Sequence, residues 1–289
     1  MPKYFIEKPG TDIIQLTGDK AHHIKNVLRM RVGERIVFCD GCSRDYIATI
    51  MDIGETKSIK KTKKPISDFF VMCRIVDEAA SATEPPVHIT LYQGVPKADK
   101  METIIQKCTE AGVAQIVPLI TRRCEPAQIH AAAKKAARYA AIAQSAAEQS
   151  MRGVIPVVSS PVKLQDMVRH EMPMHSHSNN PHDIASDKNQ DLWLVAYENE
   201  NTVTIKEALR NALRPEFVSG DVPDRVTNHL SLIKNIGVFI GPEGGFASEE
   251  VDYLKSKSAI PITLGPRILR TETAGLVAIT QILYDLELH

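Results

Sequence analysis

The stretch Ile236-Gly237-Val238-Phe239-Ile240-Gly241-Pro242-Glu243-Gly244-Gly245 decides the fold. An apolar run of strand length passes without a spacer into three glycines in five positions, then into Phe246-Ala247 and a helix whose expected cap is Ser248. A buried strand delivered into a glycine loop and a helix is the signature of a parallel βα unit, and such a loop lets a ligand approach backbone N–H and C=O groups directly. The spacing fits neither G-x-G-x-x-G nor G-x-x-x-x-G-K-[ST], which speaks against a dinucleotide or nucleoside-triphosphate phosphate site. Glu249 and Glu250 in the first helical turn make an anion unwelcome and suit a neutral or cationic ligand. Taken alone, the loop could also be no more than a tight turn.

A second crossing of the same kind follows. Leu264-Gly265-Pro266-Arg267-Ile268-Leu269-Arg270-Thr271-Glu272-Thr273-Ala274 leaves a short strand and enters the last helix, with Thr271 as its expected cap. Two parallel strands that end in such loops place both at the carboxyl edge of one sheet, where open α/β folds bind ligands.

Working back along the chain, strand and helix alternate from Val87 onward. Val87–Leu91, Gln115–Ile120, Val154–Val158, Leu192–Tyr197, Ile236–Ile240 and Pro261–Leu264 read as strands. Lys100–Ala111 closed by Gly112, an Ala-rich run over 128–150, Lys163–Arg169, Thr202–Asn211, Ser248–Ser256 and Glu272–Leu288 read as helices. This predicts an α/β domain over residues 85–289, with polar surface insertions at 170–190 and 213–235. Ala79–Pro86 (AASATEPP) is the expected linker. Before it, residues 1–75 hold the short strands Arg35–Cys39, Asp45–Met51 and Phe69–Val76 around one helix capped by Asp19, which predicts a small barrel.

The 289 residues carry 35 Lys and Arg against 35 Asp and Glu, a formal charge of zero that taken whole argues against a protein that coats nucleic acid. Divided at Ile75, however, the first part has 14 Lys and Arg against 9 Asp and Glu, a surplus of +5, which the remainder cancels. His22, His23, Lys25, Arg29 and Arg31 fall on or beside the solvent side of the first helix, and Lys57, Lys60, Lys61, Lys63 and Lys64 add to the same domain. This predicts a surface for RNA phosphates, against the plainer reading of a solvated charged face. Lys97, Lys100, Arg122 and Arg123 follow strands on the ligand edge and either grip RNA phosphate there or are ordinary loop charges.

The five cysteines are an odd number, and neither an N-terminal apolar segment nor a membrane-length apolar run occurs, so the expectation is a soluble, cytoplasmic chain without disulfides. Cys39-Asp40-Gly41-Cys42 lacks a second C-x-x-C, and Asp-Gly is turn chemistry, so it reads as two thiols beside a hairpin turn. His170, His175, His177 and His182 match no ligand spacing, and no metal site is expected.

GPEGG, LGPRILRTETA, the Glu148-Gln149 and Arg152 stretch after the Ala-rich run, and the basic HHIKNVLRMRVGE segment together resemble the RsmE family of 16S ribosomal RNA methyltransferases, in the SPOUT superfamily. The resemblance covers nearly the whole chain. It implies a PUA-like β-barrel followed by an α/β domain whose C-terminal segment threads a trefoil knot. It further implies a homodimer that binds S-adenosylmethionine and methylates N3 of a uridine, uridine 1498, in the rRNA of the small ribosomal subunit.

Residue by residue, Ile240, Gly241, Pro242, Glu243, Gly244 and Gly245, with Leu264, Gly265, Ile268 and Leu269, match the family's cofactor loops. Arg270, Glu272 and Thr273 match the turn into the last helix, Thr273 counting with the cofactor set. Gln149 and Arg152 match the family's Gln and Arg after the Ala-rich helix, Gln149 with the RNA-binding set. The chain departs from the family in Tyr139, where a Trp is expected, and in its His-rich insertion.

Methyl transfer from a sulfonium needs donor and acceptor held in near-attack geometry and no metal. Uracil N3 carries a proton, so that proton must leave or the resulting imide anion must be stabilised. Arg270 or Arg152 is the expected stabiliser and Glu272 the expected base. The alternatives are a helix N-terminal charge for Glu272 and a helix C-terminal cation for Arg152. A non-catalytic rRNA-binding assembly factor, or a ribose 2′-O-methyltransferase of the same superfamily, is the competing reading of the chain.

Overall fold

The computed structural model describes residues 1–57, 67–172, 190–212 and 233–287. Lys60, Lys61, Lys63 and Lys64, three of the four insertion histidines (His175, His177 and His182) and most of the 213–235 loop lie outside the described residues. The described chain divides into two compact units, Met1–Glu84 with Ala147–Ile155, and Pro85–Ala146 with Pro156–His289.

The first unit is built on a five-stranded sheet in the order β1-β3-β4-β5-β2, from β1 (Lys3–Phe5), β2 (Ile13–Thr17), β3 (Arg35–Cys39), β4 (Arg44–Lys57) and β5 (Ser67–Ala80). Its core holds Ile24, Ile36, Phe38, Ile50 and Val71. The sequence reading missed β1 and β2. The first is three residues long, and the second alternates exposed and buried with only two inward side chains, Ile14 and Leu16. The helix begins at Gly18, one residue before its expected cap, as α1 (Gly18–His22), and continues as a π-helical turn over His23–Val27.

β5 runs through Ile75 to Ala80, so residue 75 lies inside a strand and not at a domain edge. The chain later returns to this unit, where Ala147 and Ile155 cover Phe5 and Cys39. Cys39 is buried and Cys42 exposed, both thiols are free, and Asp40 accepts the Cys42 N–H at 2.8 Å within the turn.

The second unit is a seven-stranded, all-parallel sheet. Its main path runs β12-β10-β11-β6-β7-β8, from β6 (His88–Gly94), β7 (Gln115–Ile120), β8 (Val157–Val158), β10 (Gln190–Ala196), β11 (Ile233–Ile240) and β12 (Ile260–Ile262), while β9 (Val162–Lys163) pairs with β7. Parallel strands require crossovers, here α2 (Lys100–Glu110), α3 (Pro126–Lys134), α4 (Ala136–Gln149), α5 (Leu164–Glu171), α6 (Ile205–Ala212) and α7 (Ser248–Lys255), and α8 (Thr271–Glu287) follows the last strand. The Ala-rich run is thus two helices, interrupted at Lys135, whose ammonium reaches Asp99 at 2.7 Å. Uniform alanine gave no signal for that break.

Tyr92, Trp193 and Phe239 cluster on one face of the central strands, the Tyr92 and Phe239 rings stacked at 4.8 Å. On α8, Ala278, Ile279 and Ile282 are fully buried, each large side chain contributing about 1.5–3 kcal/mol by leaving water. The last helix is thereby anchored, and the loop before it has a fixed end.

Candidate functional site

Because the sheet is parallel, the chain leaves β10, β11 and β12 at one edge. The three exits enclose a cavity of about 460 Å³, within the range of small-molecule sites. One wall is Ile240, Gly241, Pro242, Glu243 and Gly245, and a second is Leu264, Gly265, Ile268 and Leu269. Nine of the eleven residues expected at a cofactor site are therefore brought together. The remaining two, Gly244 and Thr273, are not in the lining; the Gly244 carbonyl accepts a hydrogen bond from the Arg123 guanidinium.

The glycines are needed by the turn itself. A Cβ on Gly241 would stand 2.8 Å from the Gly245 carbonyl carbon, and Gly245 has φ +68°, its N–H donating to the Pro242 carbonyl at 2.8 Å. The loop folds back on itself and leaves main chain facing the cavity.

The third wall was not read from sequence. Ala196 ends β10, and Tyr197, Glu198 and Asn201 follow it. The segment Ala196–Asn201 (AYENEN) has no glycine, so only its place after a strand neighbouring the glycine loop marked it.

Thr271 does not serve as the expected cap. Its hydroxyl donates to the Gly241 carbonyl at 2.6 Å and accepts from the buried Gln93 amide at 2.9 Å, while the Arg270 carbonyl receives the first helical N–H groups of α8. Ser248 likewise lies inside α7, and Ala247 precedes it. Glu250 is buried and structural: its carboxylate accepts the Ala247 N–H at 2.9 Å and the Arg122 N–H at 2.8 Å, which ties the exit of β7 to the start of α7.

At the mouth, the Lys100 ammonium stands 2.9 Å from Glu243 and 3.5 Å from Glu272, and Arg270 lies 4.0 Å from the other Glu272 oxygen. Burial alone would raise the Glu243 carboxyl, but the Lys100 hydrogen bond and the Lys97 N–H outweigh it and hold it below the usual range. The Glu243 hydrogen bond, against some desolvation, raises Lys100, with Glu272 adding to it. Lys100 and Arg270 line the cavity and Glu272 lies beside it. Lys97 pairs with Glu125 at 2.6 Å and Arg122 with Glu249 at 3.2 Å, both on the surface.

Arg152 belongs to the first unit. Its side chain is 3% exposed and meets Glu84 at 2.6 Å, and Glu84 also accepts the N–H groups of Gly153 and Val154. Gln149, exposed at the end of α4, is in the same unit. His22, His23, Arg29 and Arg31 are exposed there. Lys25 is half-buried, paired with Glu55 at 2.8 Å and held 4.1 Å above the Phe69 ring. Among the described residues no cluster of three His, Cys, Asp or Glu is placed to hold a metal, and no helix is long and apolar enough to cross a membrane.

Residues 83–283 match the family described as RNA methyltransferase domain, and residues 16–63 match the RNA methyltransferase PUA domain. The chain is 31% identical to the ribosomal RNA small subunit methyltransferase E of Bacillus subtilis (strain 168), covering 100% of this chain and 98% of that one. The crystal structure of a ribosomal RNA small subunit methyltransferase E from Neisseria gonorrhoeae bound to S-adenosyl methionine is similar, with TM-score 0.69 and 26% identity over 98% of this chain and 96% of that one. A Legionella pneumophila methyltransferase structure with bound cofactor SAM gives TM-score 0.67 and 28% identity over 98% and 96%. With a mixed α/β fold, a PUA-like domain and a parallel-sheet methyltransferase domain, the chain belongs to the ribosomal RNA small subunit methyltransferase E family.

Proposed function

We propose that the protein transfers a methyl group from S-adenosylmethionine to N3 of a specific uridine, uridine 1498, in 16S rRNA of the small ribosomal subunit. The observation that carries the reading is the backbone-walled cavity at the three strand exits, whose loop folds so tightly that a Cβ on Gly241 would collide with it. Such a wall offers N–H and C=O groups to an adenosine. When bound, the cofactor supplies an electrophilic methyl group on a sulfonium.

The residues at the mouth then have distinct tasks. Glu272, 3.5 Å from Lys100 and 4.0 Å from Arg270, takes the N3 proton. Arg270, 84% exposed, also faces the negative charge that develops on the uracil oxygens. Arg152, paired with Glu84, fits a structural role better than charge stabilisation at the uracil. Gln149, His22, His23, Arg29 and Arg31 contact rRNA from the first unit, and Lys97 and Arg122 from the second.

Three finer features belong to the same reading. The first sheet closes as a PUA-like barrel. The segment before α8 threads a trefoil knot, a reading supported by the Gln93–Thr271–Gly241 hydrogen bonds. The chain acts as a cytoplasmic homodimer on the assembled subunit, and a second copy would cover Ile268 and Tyr284, which are 90% and 53% exposed.

The test is methyl transfer to small subunits lacking the modification, followed by mass mapping of the nucleoside. 3-Methyluridine at one site is expected. Methylation of a ribose 2′-hydroxyl, or binding without transfer, overturns the reaction assigned.

A further inference from the structure

Glu198 stands two residues beyond β10 and lines the cavity. Its carboxylate oxygens lie 3.6 and 3.7 Å from the position a Cβ would take on Gly245, so this exposed side chain lies across the glycine loop. The other carboxylate of the lining, Glu243, is neutralised by Lys100 at 2.9 Å. Glu198 has no ion-pair or hydrogen-bond partner among the described residues.

An acceptor-only group with free lone pairs, turned toward a cavity, is suited to ligand donors. Its place is informative as well. β10 lies parallel to β11, the strand that feeds the glycine loop, and a carboxylate at the end of the neighbouring strand is how doubly wound sheets read the hydroxyls of a ribose. We infer that Glu198 accepts hydrogen bonds from the vicinal hydroxyls of the cofactor's ribose, and so makes the cavity select a ribonucleoside over its 2′-deoxy counterpart. The inference rests on the S-adenosylmethionine reading of the cavity. It adds a specificity-determining side chain to the glycine-loop side of the cavity.

Two chemistries could draw on the same carboxylate, the ribose diol and the cationic end of the donor, and three probes separate them. S-Adenosylmethionine carries a sulfonium and an ammonium, S-adenosylhomocysteine only the ammonium, and 5′-methylthioadenosine neither, while all three keep the diol. Calorimetric titration of the full chain should show Glu198→Gln weakening all three by a similar factor of about ten or more, since charge-assisted O–H···O⁻ bonds are lost. Wild type should prefer 5′-methylthioadenosine over its 2′-deoxy form, and Glu198→Gln should lose that preference. Glu198 is exposed, so thermal unfolding of the variant should match wild type.

Equal binding of all probes by wild type and Glu198→Gln overturns the inference and leaves the cofactor reading standing. Weakening confined to S-adenosylmethionine and S-adenosylhomocysteine also overturns it, in favour of a contact with the cation. A wild type that binds none of the three overturns the cofactor reading and this inference with it.

Discussion

Thr271 donates a 2.6 Å hydrogen bond to the carbonyl of Gly241, thirty residues earlier in the chain, and the same hydroxyl accepts from the fully buried Gln93 amide. One hydroxyl thus joins the end of β6, the glycine loop and the start of α8. Thr271→Ala leaves the Gly241 carbonyl only a 3.5 Å bond from the Gln93 amide and takes one acceptor from that buried amide, at a cost of about 1–3 kcal/mol for a buried polar group poorly paired. Denaturant unfolding should register that loss, with Thr271→Ser restoring most of it. Cofactor affinity should fall with stability, because the carbonyl that Thr271 holds belongs to the cavity wall. Wild-type stability in Thr271→Ala would show that the hydroxyl holds nothing.

Arg152 and Glu84 form a second lock, on the first unit. Removing one partner of a buried pair usually costs about 3–5 kcal/mol, and Glu84, 19% exposed and still accepting the Gly153 and Val154 N–H groups, puts the loss here at the lower end. Arg152→Ala should therefore unfold at lower denaturant, and Arg152→Lys should recover only part, since a lysine lacks the planar fork. If Arg152 is structural, the fraction that remains folded turns over at close to the wild-type rate. A variant with wild-type stability and a rate lowered by orders of magnitude would return Arg152 to the chemistry.

The contrast between these two locks shows what the chain spelled out. GPEGG and LGPRILRTETA were legible because parallel strands must end at one edge and glycine tolerates what a turn demands; nine of the expected residues line one cavity for that reason. Glu198 was not legible, since a lone glutamate in a loop without glycine differs from any surface glutamate until the sheet order puts it beside Gly245. Thr271 was seen as a residue that matters, but its partner is fixed by tertiary contact, so the local reading of a helix cap failed. The junction at Glu84–Pro85 falls inside the expected linker 79–86, but the full extent of the first unit was not legible. β5 is continuous through Ile75, and the return of Ala147–Ile155 to the first unit leaves no local mark.

Glu243 and Lys100 set an acid limit. The folded Glu243 carboxyl titrates below its ordinary 4.5, so its contribution to stability is complete above that value and is lost as pH falls through the lowered one. Lys100 is raised above 10.5, so its contribution is complete below 10.5 and is lost only as pH rises through the raised value. The difference in unfolding midpoint between wild type and Glu243→Gln should be constant from about pH 5 to about pH 10 and shrink in more acid solution. A difference that persists undiminished in strong acid would mean that the ion pair is not its source.

The basic face of the first unit makes a prediction about salt. Arg29 and Arg31 are exposed and have no ion pair among the described residues, whereas Lys25 is engaged with Glu55 and the Phe69 ring. A cation that neutralises a phosphate adds about 0.7–0.9 to the slope of log affinity against log salt. Arg29→Ala and Arg31→Ala should each lower that slope by about this amount for a small-subunit rRNA fragment. Lys25→Ala should lower it less, because Glu55 already satisfies the ammonium. Filter binding across a salt series decides between them. Equal slope changes at all three positions would mean that Lys25 leaves Glu55 to meet RNA, and no change at either arginine would remove this face from the RNA contact.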